Sequence, residues 1–590
     1  MGTPAQAGAD TRTTAAMGTD AQGQAARVVA PTNANGPTVQ GAASWQQSIT
    51  QYIESQISNG PLKGAVVGVC AMEIAGQAGN DGKGNGRNLG SNGNDVKSNG
   101  RNLGSNGNDG RSSGNSCNDV KGNGHNGNDG GRAVASYNAS TRMVPASNMK
   151  LVTTGAALRA FGPEYRFTTQ IGYSGTIDND GTLNGDVYII GGGDPTIGAA
   201  DTTAYKPDAL FWKWKTILSG AGIRRIHGNI IGDGSAWEGG LEHPGWEYAD
   251  TWTYYGTGSS ALCFYENTID LLVSAGAEPG AAVNMTQTYP ETPWLQLENQ
   301  AVTGPAGTGN SLYLETSRGS TNAILTGTYA IDRRPKREQA SNKFGALTCA
   351  HQFYKNLKAT GWEVTGTYGT PDRVGGDGRG GDATAYGTPD RVGGDGRGGD
   401  GRGGVAAASA DGVVTIGRTE SPTLAQMCKR TNYDSDNFYA ESILRAMGEA
   451  ATGIAVYDSC LVAINQVLED IVPGTGNGIV QKDGSGLSRA NSVSPEWMAS
   501  YLAAMSGNKV FVESLPHPGE GTLKMLKNLT PWKFRFKSGS MGGTLCYSGY
   551  VLDENGNPRI SFAIFTNNAV AKASEVRPAL EGLIQLIGKN

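Results

Sequence analysis

Near the start of the chain, apolar residues recur at every third or fourth position, which predicts an amphipathic helix at 44–58. The next stretch, 63–74, is almost continuously apolar and predicts a buried strand, with 133–138 as its hairpin partner. Helical spacing returns after Pro145. Because Pro145 ends the preceding extended segment, we expect a strand hairpin that leads into a helix beginning near Ser147.

Further apolar segments predict the rest of the framework. Short runs bounded by glycine predict buried strands at 185–190, 228–234 and 261–273. Nearer the C-terminus, the pattern predicts helices at 438–444, 458–472, 495–505 and 573–587. It also predicts strands at 532–536, 547–552 and 559–566. The last two strands flank an Asn-Gly-Asn-Pro turn, which predicts a second hairpin.

Two glycine-rich tracts interrupt these segments, and each contains a duplicated sequence. A Gly/Asn sequence that begins at Asn85 returns at Asn99, and a Gly/Asp sequence that begins at Tyr368 returns at Tyr386. Such tracts have almost nothing to bury, so we expect disordered or mobile loops rather than a calcium-binding repeat. The predicted organisation is a disordered N-terminus (1–43), a first part of one domain (44–162) with a Gly/Asn insertion (76–131), inserted accessory domains (163–418) with a Gly/Asp loop (368–404), and the second part of the first domain (419–590).

Composition narrows the function classes. The 590-residue chain has a net charge of -5, which argues against nucleic acid as an obligate partner. Its seven cysteines and five histidines show no Cys-x-x-Cys, His-x-x-His or His-Glu-x-x-His spacing, so we expect neither a metal site nor a disulfide framework. We expect no transmembrane segment, since no apolar run is long enough, and no signal-peptide core is visible.

The helix predicted near Ser147 carries the first chemical signal, a Ser-x-x-Lys spacing completed by Lys150. Residues three apart on a first helical turn share a face, beside backbone N–H groups that lack helical partners. A serine hydroxyl is a weak nucleophile, and a neighbouring amine held partly neutral by burial can remove its proton. Alone, the pattern is more commonly explained by a helix that carries a solvated serine and lysine.

Two later stretches extend this pattern into an ordered set. Ser435 and Asn437 form a Ser-x-Asn sequence before a predicted helix, and Lys537 and Ser538 begin a Lys-Ser-Gly sequence after a predicted strand. Ser-x-x-Lys, Ser-x-Asn and Lys-[Ser/Thr]-Gly are signatures of penicillin-interacting serine enzymes. Their occurrence in this order predicts one active site assembled from distant parts of the chain.

On these motifs, the chain resembles the D-alanyl-D-alanine carboxypeptidases/endopeptidases known as low-molecular-mass class C penicillin-binding proteins. The stretches Ile-Ile-Gly-Gly-Gly-Asp-Pro-Thr, Gly-Asn-Ile-Ile-Gly-Asp and Asp-Gly-Ser-Gly-Leu-Ser-Arg also match, and the resemblance runs from about Trp45 to the C-terminus apart from the two tracts. It implies an α/β (α+β) fold of the penicillin-binding-protein/β-lactamase-like transpeptidase type, an antiparallel sheet flanked by helices. Large β-rich inserted domains would separate the first and second motifs.

The resemblance also implies catalytic roles for individual residues. Ser147 would attack the penultimate D-Ala carbonyl of a peptidoglycan stem peptide and form an acyl-enzyme. Lys150 would be the base that activates it, and Ser435 would relay the proton to the leaving amine. The backbone N–H groups of Ser147 and Ser540 would form the oxyanion hole.

Substrate-binding roles follow from the same resemblance. Asn437 would hold the substrate amide and Lys150. Lys537 and Ser538 would bind the terminal carboxylate. Asp233, in the inserted region, is expected to reach the site from the side.

The leading functional hypothesis is therefore a serine DD-peptidase, acting as a carboxypeptidase and/or endopeptidase on peptidoglycan peptides. Such an enzyme needs no cofactor, is acylated by β-lactam antibiotics as covalent inhibitors, and works outside the cytoplasm, in the periplasm or cell wall. A β-lactamase shares the motifs and differs mainly in fast deacylation. A third hypothesis, from a different class, is a non-catalytic cell-wall-binding protein.

Overall fold

The structure is a computed structural model that describes residues 39–74, 132–200, 203–316, 320–374 and 412–589. The predicted Gly/Asn insertion, most of the Gly/Asp loop and most of the predicted disordered N-terminus lie outside these residues. Within them, no single helix has the length and apolarity to cross a bilayer. Two consecutive helices, Asn437–Thr452 and Tyr457–Ile471, meet both criteria only when taken together, and an 82° bend separates them.

The helices and strands of the described residues are numbered in chain order. The helices are α1 (Val39–Asn59), α2 (Met149–Phe161), α3 (Pro207–Gly220), α4 (Gly345–Ala359), α5 (Leu424–Tyr433), α6 (Asn437–Thr452), α7 (Tyr457–Ile471), α8 (Pro495–Met505), α9 (Lys509–Glu513) and α10 (Ala573–Ile587). The strands are β1 (Val66–Glu73), β2 (Arg132–Tyr137), β3 (Thr168–Tyr173), β4 (Thr176–Ile177), β5 (Thr182–Asn184), β6 (Val187–Ile190), β7 (Arg225–His227), β8 (Ile230–Asp233), β9 (Thr268–Ser274), β10 (Asn284–Tyr289), β11 (Gln296–Asn299), β12 (Val302–Gly304), β13 (Tyr313–Thr316), β14 (Asn322–Thr326), β15 (Thr328–Ala330), β16 (Lys336–Ser341), β17 (Tyr368–Thr370), β18 (Arg373–Val374), β19 (Val414–Glu420), β20 (Ile479–Val480), β21 (Ser492–Val493), β22 (Phe534–Met541), β23 (Thr544–Leu552) and β24 (Pro558–Asn567).

One antiparallel sheet joins the two ends of the described chain. Its strand order is β2-β1-β24-β23-β22, and every neighbouring pair is antiparallel, which confirms both predicted hairpins. Helices α1 and α10 share a buried apolar cluster with one face of the sheet, whereas α8 packs against the other face. Since β1 and β2 precede the inserted region and β22 to β24 follow it, this sheet requires both ends of the chain.

The inserted region contains its own sheets. A six-stranded sheet has the order β18-β17-β8-β6-β3-β19, and α3 and α4 pack against it. Smaller sheets between β9 and β16 enclose a separate cluster that includes Ile269, Leu271 and Tyr329. This region is therefore β-rich, as the resemblance implied, although the sequence pattern missed α3 and α4.

The strand predicted at 261–273 is wrong in its first half. Strand β9 begins only at Thr268, because Tyr265, Glu266 and Asn267 have φ values of 56°, 55° and 51°. These angles lie in the left-handed region, which an extended strand excludes. The apolar residues before them are buried in a loop, so burial alone produced the strand-like pattern.

A buried arginine fastens the inserted region to α6. Arg445 is 2% exposed, and its guanidinium donates hydrogen bonds to the carbonyls of Glu238, Gly240 and Ser259. A guanidinium has five N–H donors, so it can satisfy several carbonyls that would otherwise be buried without partners. Because α6 begins at Asn437, these bonds hold the inserted region beside the second sequence motif.

We expect His351 on α4 to make the stability of the protein depend on pH. It is 5% exposed, its ring packs against Trp294 and Tyr368, and neither ring nitrogen has a hydrogen-bond partner among the described residues. Burial lowers the pKa of His351 to about 4. Between pH 6.5 and 4, His351 is therefore protonated in the unfolded chain but mostly neutral in the folded protein. The free energy of unfolding consequently falls as the pH falls.

We expect His351→Phe to remove this part of the acid sensitivity, about 2–3 kcal/mol of unfolding free energy between pH 7 and pH 4. Urea unfolding of the wild type and variant at several pH values measures the difference. Thr216→Ala, a change at an exposed residue of α3 without a titratable group, is the control and should keep the wild-type pH dependence. Parallel pH curves for His351→Phe and wild type would contradict the prediction.

Candidate active site

The three motifs meet at one cleft. Ser147, Ser435 and Asn437 line a cavity of about 630 Å³ formed by the start of α2, the start of α6 and strand β22. Lys150 and Lys537 are fully buried behind these residues, and each donates a hydrogen bond to one of the two serine hydroxyls. Residues almost 400 positions apart in sequence therefore share one site.

Ser147 lies just outside the helix that the sequence predicted for it. It occupies a 3₁₀ turn, Ala146–Asn148, and α2 begins at Met149. Ala146 has a φ of 47°, a left-handed conformation that is costly for a residue with a Cβ. The turn leaves the serine half-buried at the cleft, with its Oγ 3.0 Å from the Nζ of Lys150.

Lys150 makes three hydrogen bonds inside the protein. Its Nζ donates to Ser147 Oγ at 3.0 Å, Asn437 Oδ1 at 2.5 Å and the carbonyl oxygen of Ser485 at 2.6 Å. Burial lowers the pKa of Lys150 to about 8, although the carboxylates of Asp483 and Glu441 act in the opposite direction. A neutral amine can keep its bonds to Asn437 and Ser485 while its lone pair accepts the serine proton.

A buried acid, Glu441, holds the Ser485 carbonyl in place. Glu441 lies one turn after Asn437 on α6 and accepts hydrogen bonds from the backbone N–H groups of Gly484 and Ser485, at 3.0 and 2.7 Å. This contact orients the Ser485 carbonyl toward Lys150. The sequence motifs did not identify Glu441, although its spacing of four residues from Asn437 places both residues on one face of a helix.

Asp483 organises the same turn. Its carboxylate accepts bonds from the backbone N–H groups of Gly486 and Ser488, at 2.8 and 2.6 Å, and from Trp246 Nε1 at 2.8 Å. Trp246 therefore belongs to the support of the turn and not to the wall of the cleft. These bonds hold the Asp-Gly-Ser-Gly-Leu-Ser loop in a conformation that points the Ser485 carbonyl at Lys150.

The second motif faces the third across the cleft. Lys537 Nζ donates to Ser435 Oγ at 2.8 Å and to the carbonyl oxygen of Ser538 at 2.7 Å. Ser435 has a φ of 63°, so its backbone is also held in the left-handed region. Burial, together with the nearby charge of Lys150, holds the pKa of Lys537 well below its ordinary value.

Strand β22 approaches the nucleophile so closely that its motif requires glycine. A Cβ on Gly539 would lie 2.5 Å from the carbonyl oxygen of Pro145 and 3.1 Å from the backbone nitrogen of Ser147. These separations exclude a side chain without movement of the backbone. The close approach places β22 against the turn of Ser147, and Ser540 of this strand lines the same cleft.

The inserted region supplies one wall of the cleft. Tyr254 and Tyr255 line it, and the carbonyl of Tyr255 accepts a hydrogen bond of 2.8 Å from Asn437 Nδ2. The sequence motifs did not identify these tyrosines, and the structure places both in the groove. The cleft as a whole is also lined by charged side chains of both signs, namely Asp250, Glu266, Arg430 and Arg489.

Unlike Lys150, Lys537 and Ser538, which bond to residues that line the cleft, Asp233 bonds within a local turn of the inserted region. It is buried at the end of β8, and its Oδ1 accepts bonds from the backbone N–H and hydroxyl of Ser235, at 2.9 and 2.6 Å. Its carboxylate closes this local turn, which explains why an aspartate ends the strand. Asp233 is not among the residues that line the cleft.

Comparison with known proteins identifies the family of this chain. The model of the D-Ala-D-Ala carboxypeptidase 3 (S13) family matches residues 126–379 and 398–586, most of the chain. A D-alanyl-D-alanine carboxypeptidase of Actinomadura sp. (strain R39) is 26% identical over 455 residues, which cover 74% of this chain and 76% of that protein. D-alanyl-D-alanine carboxypeptidase DacB of Haemophilus influenzae is 23% identical, with 74% and 82% covered.

The fold has solved relatives. The crystal structure of penicillin binding protein 4 (dacB) from Haemophilus influenzae aligns with a TM-score of 0.65 and 19% identity, and covers 92% of this chain and 99% of that one. The same protein in complex with a novel β-lactam aligns with a TM-score of 0.61 and 18% identity, covering 92% and 100%. The penicillin-binding-protein fold predicted from the motifs is confirmed. The chain is a serine peptidase, and it belongs to the D-Ala-D-Ala carboxypeptidase 3 (S13) family.

Proposed function

We propose that the protein is a serine DD-peptidase that cleaves peptidoglycan stem peptides through an acyl-enzyme, as a carboxypeptidase and/or endopeptidase. The contact between Lys150 Nζ and Ser147 Oγ, at 3.0 Å, carries this proposal. It joins a nucleophile to a buried amine whose pKa of about 8 leaves a useful neutral fraction near neutral pH.

In this mechanism, Lys150 removes the Ser147 proton as the oxygen attacks the penultimate D-Ala carbonyl. The C–N bond of the scissile amide then breaks, and the leaving amine takes a proton that passes through Ser435, whose Oγ is held by Lys537. The backbone N–H groups of Ser147 and Ser540 stabilise the developing oxyanion, typically worth about 3–4 kcal/mol. Water then releases the acyl group from Ser147 and restores the enzyme.

Asn437 has two contacts that suit a substrate-positioning role. Its Oδ1 accepts from Lys150 and its Nδ2 donates to the Tyr255 carbonyl, so its amide plane is fixed at the edge of the cleft. Lys537 and Ser538 are proposed to bind the terminal carboxylate. We place the protein outside the cytoplasm, in the periplasm or cell wall, because its proposed substrate lies there.

Two other functions compete with this proposal. A β-lactamase would use the same residues but would hydrolyse its acyl-enzyme quickly. A cell-wall-binding protein without catalysis would not need a buried lysine against a serine hydroxyl, and burying an amine is costly without such a use. The proposal therefore favours catalysis with a long-lived penicillin adduct.

Intact-protein mass spectrometry after brief treatment with penicillin tests the proposal. We expect one covalent adduct, mapped by proteolysis to the peptide that contains Ser147, and slow release of the bound drug over many minutes. The untreated wild type should release D-Ala from a pentapeptide, and heat-denatured protein is the control for non-specific acylation. Rapid penicillin hydrolysis without an adduct would favour a β-lactamase; no adduct and no D-Ala release would refute catalysis.

A further inference from the structure

A threonine outside the three motifs faces the same end of the cleft as the third motif. Thr522 is exposed, lines the cavity, and has its Oγ1 2.8 Å from the Oγ of Ser538. It precedes Ser538 by 16 residues and belongs to a different segment, the 3₁₀ turn Gly521–Leu523. The two hydroxyls therefore meet by folding and not by sequence proximity.

This turn is fixed by its own contacts. Leu523 is fully buried, and its N–H donates to the Glu520 carbonyl at 2.7 Å. Gly521 has a φ of 45°, and a Cβ there would lie 2.4 Å from the carbonyl oxygen of Tyr433. The backbone at Thr522 is thus held on one side by the buried Leu523 and on the other by the close contact between Gly521 and Tyr433.

The cations of the cleft are already engaged by protein partners. Lys537 is fully buried and donates to Ser435 Oγ and the Ser538 carbonyl, while burial disfavours its charged form. Arg430 and Arg489 form ion pairs with the carboxylates of Glu266, Asp434 and Asp436 and of Glu247, respectively. An anion that reaches this end of the cleft needs additional donors that can turn toward it.

We propose that Thr522 and Ser538 together form a two-hydroxyl clamp for the C-terminal carboxylate of the substrate, an inference that rests on the function proposed above. Each hydroxyl has one O–H to donate, and in the free protein the Ser538 hydroxyl donates to Thr522 Oγ1. A carboxylate replaces this single neutral hydrogen bond with two charge-assisted ones. The approaching negative charge also favours the ammonium form of Lys537 behind the clamp. Thr522 is thereby a substrate-binding residue that decides between acid and ester leaving groups.

The test uses Thr522→Val, which keeps the shape of the side chain and removes its hydroxyl. The substrates are two N-acyl-D-Ala thioesters, one whose leaving group ends in a free carboxylate and the other its methyl ester. We expect kcat/KM to fall roughly 10- to 100-fold on the acid and less than about twofold on the ester. Thr522→Ser restores the hydroxyl and should restore activity on the acid. Thr530→Val, at an exposed threonine in the following loop, is the matched control and should change neither rate.

The outcomes separate this inference from the proposed function. Equal losses on both substrates would mean that Thr522 only supports the loop, and no loss on the acid would mean that it does not meet the carboxylate; either result overturns the clamp. Wild-type protein that acylates on neither substrate would instead refute the DD-peptidase proposal.

Discussion

Ser147→Ala should lower kcat/KM for D-Ala release from a pentapeptide by at least about ten-thousandfold. The variant has no oxygen at the position that Lys150 Nζ contacts at 3.0 Å, so no acyl-enzyme can form there. The penicillin adduct should disappear with the same substitution. Single-turnover kinetics and intact mass measure both effects.

The matched control for this experiment is Ser55→Ala. Ser55 is exposed on α1, and its hydroxyl bonds only locally, to the Tyr52 carbonyl. We expect this variant to keep wild-type activity and penicillin acylation. D-Ala release by Ser147→Ala at the wild-type rate would show that the catalytic assignment is wrong.

The second large effect is expected at Lys150. Lys150→Met keeps an unbranched side chain of similar length but removes the amine that acts as the base. We expect acylation to slow by at least about a thousandfold. Stopped-flow acylation with a fluorescent penicillin measures the rate. Lys509→Met, at an exposed lysine in an i,i+4 pair with Glu513, is the control and should acylate normally.

The pH dependence of the wild type provides an independent check on Lys150. Its pKa is lowered to about 8 by burial, and only the neutral amine can accept the Ser147 proton. The acylation rate should therefore rise about tenfold per pH unit below pH 8 and level off above it. A rate that is independent of pH between 6 and 9 would rule out Lys150 as the base with this pKa.

The inserted region has a direct part in the site. Through Tyr255 it provides the acceptor that orients Asn437, and through Trp246 it supports the turn of Asp483. Arg445 then ties the same region to the helix that carries Asn437. Loops of the inserted region are thus joined by hydrogen bonds to Asn437, to the turn of Asp483 and to α6, and no sequence motif predicts these contacts.

Local patterns in the sequence were sufficient for much of the framework. Strand β1 and the final hairpin are apolar runs bounded by turn residues, and α8 and α10 have apolar residues at helical spacing, so the type of each element can be read directly. The order of the three motifs indicated the family and the residues of the catalytic centre. The same patterns failed at 261–267, where buried apolar residues belong to a loop with positive φ, and at α3 and α4.

What only the tertiary structure decided is how the distant groups meet. The sequence determined that Ser147, Lys150, Ser435, Asn437 and Lys537 were available and chemically matched. The folded chain added backbone acceptors, close glycine contacts and the Thr522 hydroxyl, and it excluded Asp233 from the cleft. The physical reason is that a motif records local side-chain chemistry, whereas burial, pKa and hydrogen-bond geometry depend on segments hundreds of residues away.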